Sequence, residues 1–506
     1  MTDDVLDTRG GRVLVSVAAG VAGLAGSYAV TGNAPAFLAS PVERTLARTL
    51  PGAIVSFAIT TLGSVGQQLN LLTAVVVAGL FVALAARAAI LAGDAANNRL
   101  LPGTGTAVVT WVVAVALTGE PVLSAGAALP AAGVVVLAQA LDAAGGHTTP
   151  ISSKRRRALS TVGVALGASV LGYRLGGQRT PTATAADAPT LASPGVDLDD
   201  AQTKLDAASD RSLDVDDLDS LVSETFFEVD INSIDPQVDA GEWTLSVTGA
   251  VEQEVTLDYD ELQGMPAENR FSTLRCVGDS LNGKKMDTAL WTGVPVDQLL
   301  DEAGVQSGCE CVMLHATDGY YEEFPIEALR GGLLVYGMNG KVLPRGHGYP
   351  VRALVPGHWG EVNVKWLTEI EVLEREAEGY WEQRGWQGTG PVKPVAKLHH
   401  AELLDDGRRR LAGHAYAGLR GISRVEVSTD GGETWADATL SDPLPAVDGD
   451  RAAEDAWRQW VYAYDPPSGG HTAVVRMVDG EGTVQTAEET NPPPSGPSGW
   501  VSREFA

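Results

Sequence analysis

Hydropathy divides the chain into unlike parts. Over the first 178 residues, apolar stretches rich in Ala, Val, Gly and Leu recur at about 13–31, 51–67, 70–92, 104–119, 121–143 and 158–176. About 20 apolar residues cross a bilayer as a helix, so the pattern predicts five or six transmembrane spans. The second and fourth runs are short, and "GEP" (119–121) barely separates two of them. Residues 179–223 turn to Ala, Thr, Pro and Asp with few large apolar side chains, which predicts an acidic flexible linker. Alternating runs such as "WTLSVTGAV" (243–251) then mix with short helical ones such as "VPVDQLLDEAG" (294–304), predicting an α+β domain over 224–390. Beyond 391 the helical signals stop. Short alternating strands between Gly/Asp turns predict an immunoglobulin-like β-sandwich over 391–506.

Charge sharpens the division. The chain holds 64 acids against 36 bases, and only eight of the bases are Lys. Residues 1–178 carry eleven Lys/Arg and seven Asp/Glu, a balance of +4, so the remainder carries −32. So acidic a surface repels nucleic acid, which is excluded as a partner. Excess Asp with scarce Lys suits a protein working in strong salt, where screening removes self-repulsion; a halophilic source is the expectation.

In a six-span arrangement Arg44 and Arg48, Arg99 and the cluster "KRRR" (154–157) share one side, and the loops around "QQLN" and "GEP" hold no base. The positive-inside rule makes that side cytoplasmic, so the last span delivers everything after Gly176 outside the cell membrane. The N-terminus, with Arg9 and Arg12, then lies outside as well, where the rule fits it less well. "SSKRRRALSTVGVALGASVLG" (152–172) reads either as an internal twin-arginine export signal or as an ordinary basic-flanked anchor. Of eight histidines only His147 lies near the spans, in a loop, so no bis-His haem site is available. Asp94, Glu120 and Asp142 sit at span ends, which leaves no transport path. The spans read as an anchor or docking surface.

Three cysteines make no disulfide framework. Cys309 and Cys311, two apart in "GCECVML", read as packing residues, because neighbours at that spacing in a strand seldom meet disulfide geometry. Cys276 stands alone at a strand-to-loop junction, "FSTLRCVGDS". "MNGKVLPRGHGYPVRALVPGHWGEVNVKWLTEIEV" (338–372) spaces His347, Arg352 and Lys365 through Gly- and Pro-rich backbone. Rigid loops presenting cations and N–H groups are how proteins hold a phosphate, and a thiolate is a ligand for a soft or high-valent metal. Together they suggest a cofactor with a phosphate at one end and a metal at the other.

In order, "LRCVGD", "W-x-G-V-P" (291–295), "ATDGY" (316–320), "MNG" (338–340), "HGYPVR" (347–352), "PGHWG" (356–360) and "VKWL" (364–367) resemble the molybdopterin domain of the sulfite oxidase family. "GISRVEVSTDGGETWADATL" (421–440) and "WRQW" (457–460) are similar to that family's dimerisation domain. The resemblance covers about 280 residues. It implies Mo-molybdopterin with a single pterin, Cys276 as the metal-ligating and catalytic thiolate, and His347, Arg352 and Lys365 as pterin-phosphate contacts with backbone at Asn363 and Val364. It further implies Phe227, Glu228, Val229 and Asp318 along the pterin, and oxygen-atom transfer as the reaction, with a homodimer possible.

The resemblance weakens where substrate is chosen. Members that oxidise sulfite place arginines where this chain has Glu228 and "VGDSL", and an active-site tyrosine where it has Trp386. A carboxylate repels a dianion, so a neutral S- or N-oxide, or a sulfur compound of low charge, is the expected substrate, with sulfite oxidation or nitrate reduction as alternatives. Lys284 and Lys285 read either as compensation or as solvated charges. No haem or flavin module is recognisable, so electrons pass to a separate quinone-linked protein or small carrier. The rival class is a membrane-anchored binding protein that keeps the fold without catalysis.

Overall fold

The structure, a computed structural model, describes residues 8–58, 62, 64–144, 163, 165, 167–178, 188–447 and 452–506. It divides into two compact units. One comprises residues 1–51, 62–182 and 230–237, the other 52–61, 183–229 and 238–506.

The first unit is helical. Arg9–Thr31, Val65–Ala95, Leu101–Thr118 and Ala125–Ala143 are each long and apolar enough to cross a membrane. Buried Ala18, Ala22, Ala78, Ala127 and Ala131 lie at their contacts, and side chains this small let helix backbones approach closely. Of the run at 51–67, Gly52–Phe57 is helical and the helix Ser64–Ala95 has begun by its end, while residues 59–61 and 63 lie outside the described residues. Arg44 and Arg48 lie on the short helix Ser40–Thr49, before the helix Ser64–Ala95, and Arg99 follows that longer helix. Arg12 pairs with Asp94 at 3.0 Å, and Gln139 Nε2 donates to the Arg99 carbonyl at 2.9 Å, which gathers Arg12 and Arg99 at one end. "KRRR", His147 and most of 158–176 lie outside the described residues. Residues 230–237 pack into this unit through buried Ile234, and Ser233 donates N–H and Oγ–H to Glu43 Oε1, both at 3.1 Å.

The second unit is built on sheets. Its strands are β1 (Thr244–Gly249), β2 (Val255–Asp258), β3 (Glu268–Arg275), β4 (Met286–Pro295), β5 (Cys311–Ala316), β6 (Tyr321–Pro325), β7 (Leu333–Met338), β8 (Lys341–Val342), β9 (Arg352–Leu354) and β10 (Leu367–Val372). They form two sheets, β2-β1-β10-β5-β6 and β3-β4-β7-β8, with β9 on β7; β1 and β10 are parallel and the other pairs antiparallel. Leu245, Val294, Leu314, Leu334, Ala353 and Ile370 come from both sheets into one buried cluster, so the two faces share a core. Truncating any one of these leucines to Ala costs about 2–5 kcal/mol.

The remaining strands are β11 (Val395–Ala396), β12 (His400–Leu403), β13 (Arg409–Tyr416), β14 (Ile422–Ser428), β15 (Ala436–Asp437), β16 (Thr439–Leu440), β17 (Arg458–Tyr464), β18 (His471–Asp479) and β19 (Val501–Phe505). They make two antiparallel sheets, β11-β13-β17-β16 with β12 on β13, and β15-β14-β18-β19, which share buried Leu411, Val425, Trp460 and Val475.

Two expectations need correcting. Part of the stretch read as a linker is a helix, Leu198–Arg211, started by Asp197, whose side chain accepts the Asp200 N–H. Ala201, Lys204 and Ala208 bury one face, too small or too charged to signal burial by hydropathy. Cys309 and Cys311, read as packing residues, are disulfide-bonded. Cys309 precedes β5, and Glu310 takes φ 59°, which folds the chain and brings the two Cα atoms to 5.2 Å.

Candidate functional site

β3 and β4 form a hairpin whose register runs to Arg275 opposite Met286, and the Cys276 N–H donates to the Lys285 carbonyl at 3.0 Å as the next rung. Cys276 is buried and is the free cysteine of the chain. Arg275 also bridges Trp359, which lays the segment beginning "WGEV" alongside the thiol. Burial pushes the Cys276 thiol up; Lys285 opposes this, while Asp279 and Glu361 add to it.

The cationic side chains converge on a second feature. His347 lies in the 3-10 turn Arg345–His347, Arg352 opens β9, and Lys365 follows the turn Gly360–Val362. Arg352 donates to the His347 carbonyl at 3.1 Å and to the Asn363 carbonyl at 2.9 Å, and Lys365 Nζ donates to the Gly346 carbonyl at 2.7 Å. Gly348, with φ 113°, is pressed between them: a Cβ there would stand 3.0 Å from those of Arg352 and Lys365. Burial, then the charges of Lys365 and Arg352, drives His347 down to about 3, so its imidazole is neutral. Asn363 ties the cluster together, accepting from the Val355 N–H at 2.7 Å and donating to the Trp359 carbonyl at 3.1 Å. The Val364 carbonyl accepts from the Ala353 N–H at 2.9 Å.

Around this cluster stand the aromatic residues that open the domain. Phe226 meets His347 edge-on at 5.5 Å and stacks on Phe227 at 5.4 Å, and the Phe227 N–H donates to Asp287 at 2.9 Å. Glu228 Oε1 approaches His347 Nε2 to 3.7 Å; Val229 follows, half-buried. Arg352 lies over Trp291 of β4, and Phe226, Leu274 of β3, Trp291 and Leu354 share one apolar cluster. The cations and the strand bearing Cys276 are thereby joined through a single packed layer. Asp318 caps its turn, accepting the Tyr320 N–H at 2.9 Å, and the neighbouring Thr317 N–H donates to the Trp366 carbonyl at 3.0 Å. Trp386 packs on Trp381 at 6.2 Å in an apolar cluster that also contains Val277 and Trp359.

A third feature has no counterpart in the sequence reading. Tyr320 Oη lies 2.8 Å from Glu322 Oε2 and 2.9 Å from the Glu361 carbonyl. Glu322 is fully buried, and both carboxylate oxygens of Glu361 and of Glu382 are sealed from solvent. Burial, with the neighbouring Glu382, holds Glu322 well above the carboxylate range and pushes Glu361 up to about 8. Glu322 and Glu361 thus carry protons at neutral pH, and Glu361 is within electrostatic reach of Cys276.

Residues 232–381 match the oxidoreductase molybdopterin binding domain, and residues 391–491 match the Mo-co oxidoreductase dimerisation domain. The chain carries a molybdopterin-binding oxidoreductase domain followed by a Mo-co oxidoreductase dimerisation domain, and it is similar to sulfite oxidases. It is 29% identical over 286 residues to the mitochondrial sulfite oxidase of Macaca fascicularis, covering 46% of this chain and 51% of that one. It is 29% identical over 270 residues to the nitrate reductase [NADH] of Solanum lycopersicum, covering 41% and 30%. The sulfane dehydrogenase SoxCD of Paracoccus pantotrophus matches with a TM-score of 0.44 at 21% identity, over 54% of this chain and 76% of that one. The chain spans about half the length of the sulfite oxidases it matches.

With its molybdopterin-binding domain, the chain has side chains that suit both ends of that cofactor. Arg352 and Lys365, with neutral His347 as a further donor, are chemistry for a phosphate, and a buried thiol is chemistry for a metal. The acids escaped sequence reasoning because "YYEEFP" alternates like a half-exposed strand. Residues 379–388 contribute to the cover over Glu322 and Glu361: Gly379 and Gly388 lie directly against their carboxylates.

Proposed function

We propose that this chain is a membrane-anchored molybdenum enzyme that transfers an oxygen atom to or from a small sulfur or nitrogen compound of low charge, with Cys276 as the protein's bond to the metal. The observation that carries it is the placement of one buried free thiol at the end of β3, in the sheet whose far strand, β9, begins with Arg352. Molybdopterin, when bound, supplies the oxygen-atom and two-electron chemistry. The chain's own residues bind and orient: Arg352, Lys365, His347 and the backbone at Asn363 and Val364 take the pterin phosphate, and Phe227, Glu228, Val229 and Asp318 line the pterin. Trp386 closes the apolar side of the substrate space next to Val277.

Low substrate charge is favoured by Glu228, a carboxylate beside His347, and by buried Glu361, which is within electrostatic reach of Cys276. Sulfite oxidation is the second reading. Lys285 favours it, being close enough to Cys276 to lower its pKa.

The apolar helices support membrane anchoring. If 158–176 also crosses, Arg9, Arg12, Arg99 and Lys154 to Arg157 share one side against Arg44 and Arg48. The positive-inside rule then keeps the catalytic part extracytoplasmic and places the N-terminus inside. The match at 391–491 and the two-sheet arrangement support an immunoglobulin-like dimerisation domain over 391–506. Electrons pass to a separate quinone-linked protein or small redox carrier.

The test is molybdenum and pterin content of the purified chain, wild type against Cys276→Ser. Near one molybdenum per wild-type chain, lost or spectroscopically altered in the variant, is the expected result. A metal-free wild type from a host able to make the cofactor would sink the enzyme reading and promote a non-catalytic binding protein.

A further inference from the structure

The loop 277–285 leads from Cys276 back to β4, yet what holds it comes from the other pair of sheets. Lys397 is fully buried; its Nζ stands 3.1 Å from Asp279 Oδ2 and donates to the Gly283 carbonyl at 2.5 Å. Asn282 and Leu398 exchange two hydrogen bonds, Asn282 Nδ2 to the Leu398 carbonyl at 2.9 Å and the Leu398 N–H to Asn282 Oδ1 at 2.8 Å. His399 Nε2 approaches the Gly283 carbonyl to 3.2 Å. Inside the loop the Asp279 carboxylate accepts the Lys285 N–H at 2.9 Å, and the Asp279 N–H donates to the Cys276 carbonyl at 3.3 Å. The Cys276 N–H returns to the Lys285 carbonyl at 3.0 Å. Cys276, Asp279 and Lys285 therefore close a ring, and Lys397 grips it at Asp279. On the other flank of the thiol, Arg275 donates to the Lys393 carbonyl at 2.7 Å.

A buried ion pair is a poor way to glue two sheets, because desolvation of both charges offsets most of their attraction and apolar residues would hold as well. What a lysine–carboxylate pair adds is direction: removing either partner strands a buried charge, so the loop has one acceptable position. We infer that Lys397 is a positioning residue for Cys276, fixing through Asp279 the loop that sets where the thiol points. The inference rests on the reading of Cys276 as the metal ligand, and it gives the C-terminal sheets a part in the metal site besides association of chains.

Because Cys276 is the free thiol, its labelling rate reads the loop without any cofactor. The full chain, made in a host that lacks the pterin, is treated with N-ethylmaleimide well below its melting temperature and followed by mass. Lys397→Met is expected to label at least tenfold faster than wild type. Lys393→Met, whose Nζ bonds only to Gly496 and neighbours within the C-terminal part, is expected to label at the wild-type rate. Should Lys397→Met not fold, Asn282→Ala removes the two bonds to Leu398 without stranding a charge and is expected to label at least threefold faster. In the loaded enzyme the Mo(V) resonance of the same variant should shift. Labelling at the wild-type rate overturns the inference whatever the melting temperature does, and so does faster labelling with an unchanged resonance. Full metal retention by Cys276→Ser with unaltered molybdenum spectroscopy overturns the ligand reading instead, and leaves the labelling result standing.

Discussion

Tyr320 Oη and Glu322 Oε2 lie 2.8 Å apart in a region where Glu322 has no solvent exposure at all. The pair starts a chain of groups that reaches Glu361 and, through it, the neighbourhood of Cys276. Its chemistry is that of protonated acids, which donate and accept hydrogen bonds without a net charge. A site so furnished treats a neutral oxide and a dianion very differently.

Glu361 makes stability depend on pH in a definite direction. Its pKa rises from 4.5 to about 8 on folding, so between those values the folded chain holds a proton that the unfolded chain has released. Stability therefore falls as pH rises through that window, by about 1.4 kcal/mol per unit at most, and levels off above it. The melting temperature should drop between pH 5 and pH 8, and Glu361→Gln should remove part of the drop. An identical profile in the variant, followed by scanning fluorimetry, would show that Glu361 titrates normally.

Arg352 joins the carbonyls of His347 and Asn363, two turns that no strand pairing connects. Lysine keeps the charge but cannot reach both carbonyls in one plane. Arg352→Lys should weaken pterin retention by roughly tenfold to a hundredfold, corresponding to one or two charge-assisted hydrogen bonds. Pterin released on desalting, measured by fluorescence of its oxidised form, gives the answer; wild-type retention would remove Arg352 from the phosphate site.

Glu228 presents a carboxylate 3.7 Å from His347 where a sulfite-oxidising member of the family would want a cation. Glu228→Arg should raise kcat/KM for sulfite roughly tenfold at low ionic strength, with the gain shrinking in molar salt as screening shortens the reach of the charge. Steady-state assays with an artificial acceptor at two salt concentrations check both halves. A gain indifferent to salt would point to reshaping of the pocket.

The disulfide between Cys309 and Cys311 leaves a simple count. The chain denatured without reductant should expose one thiol, and after reduction three. Three thiols before reduction would restore the packing role that the spacing first suggested.

The sequence by itself determined the broad organisation, because its signals are local. Hydropathy marks a span wherever about 20 apolar residues run together, which identified four of the helices. Glycine, proline and short motifs fix the turns that hold His347, Arg352 and Lys365, so those residues and Cys276 were legible as a set. Tertiary structure decided what depends on cover and on distant partners. Whether Ala201 and Ala208 bury a helix face, and whether Glu322 and Glu361 are surface acids or protonated interior ones, are settled by what packs on them. The Lys397–Asp279 pair joins residues 118 apart, and no periodicity records such a contact. The free energy of a buried charge is set by its surroundings in space, and neighbours in sequence are a small part of those.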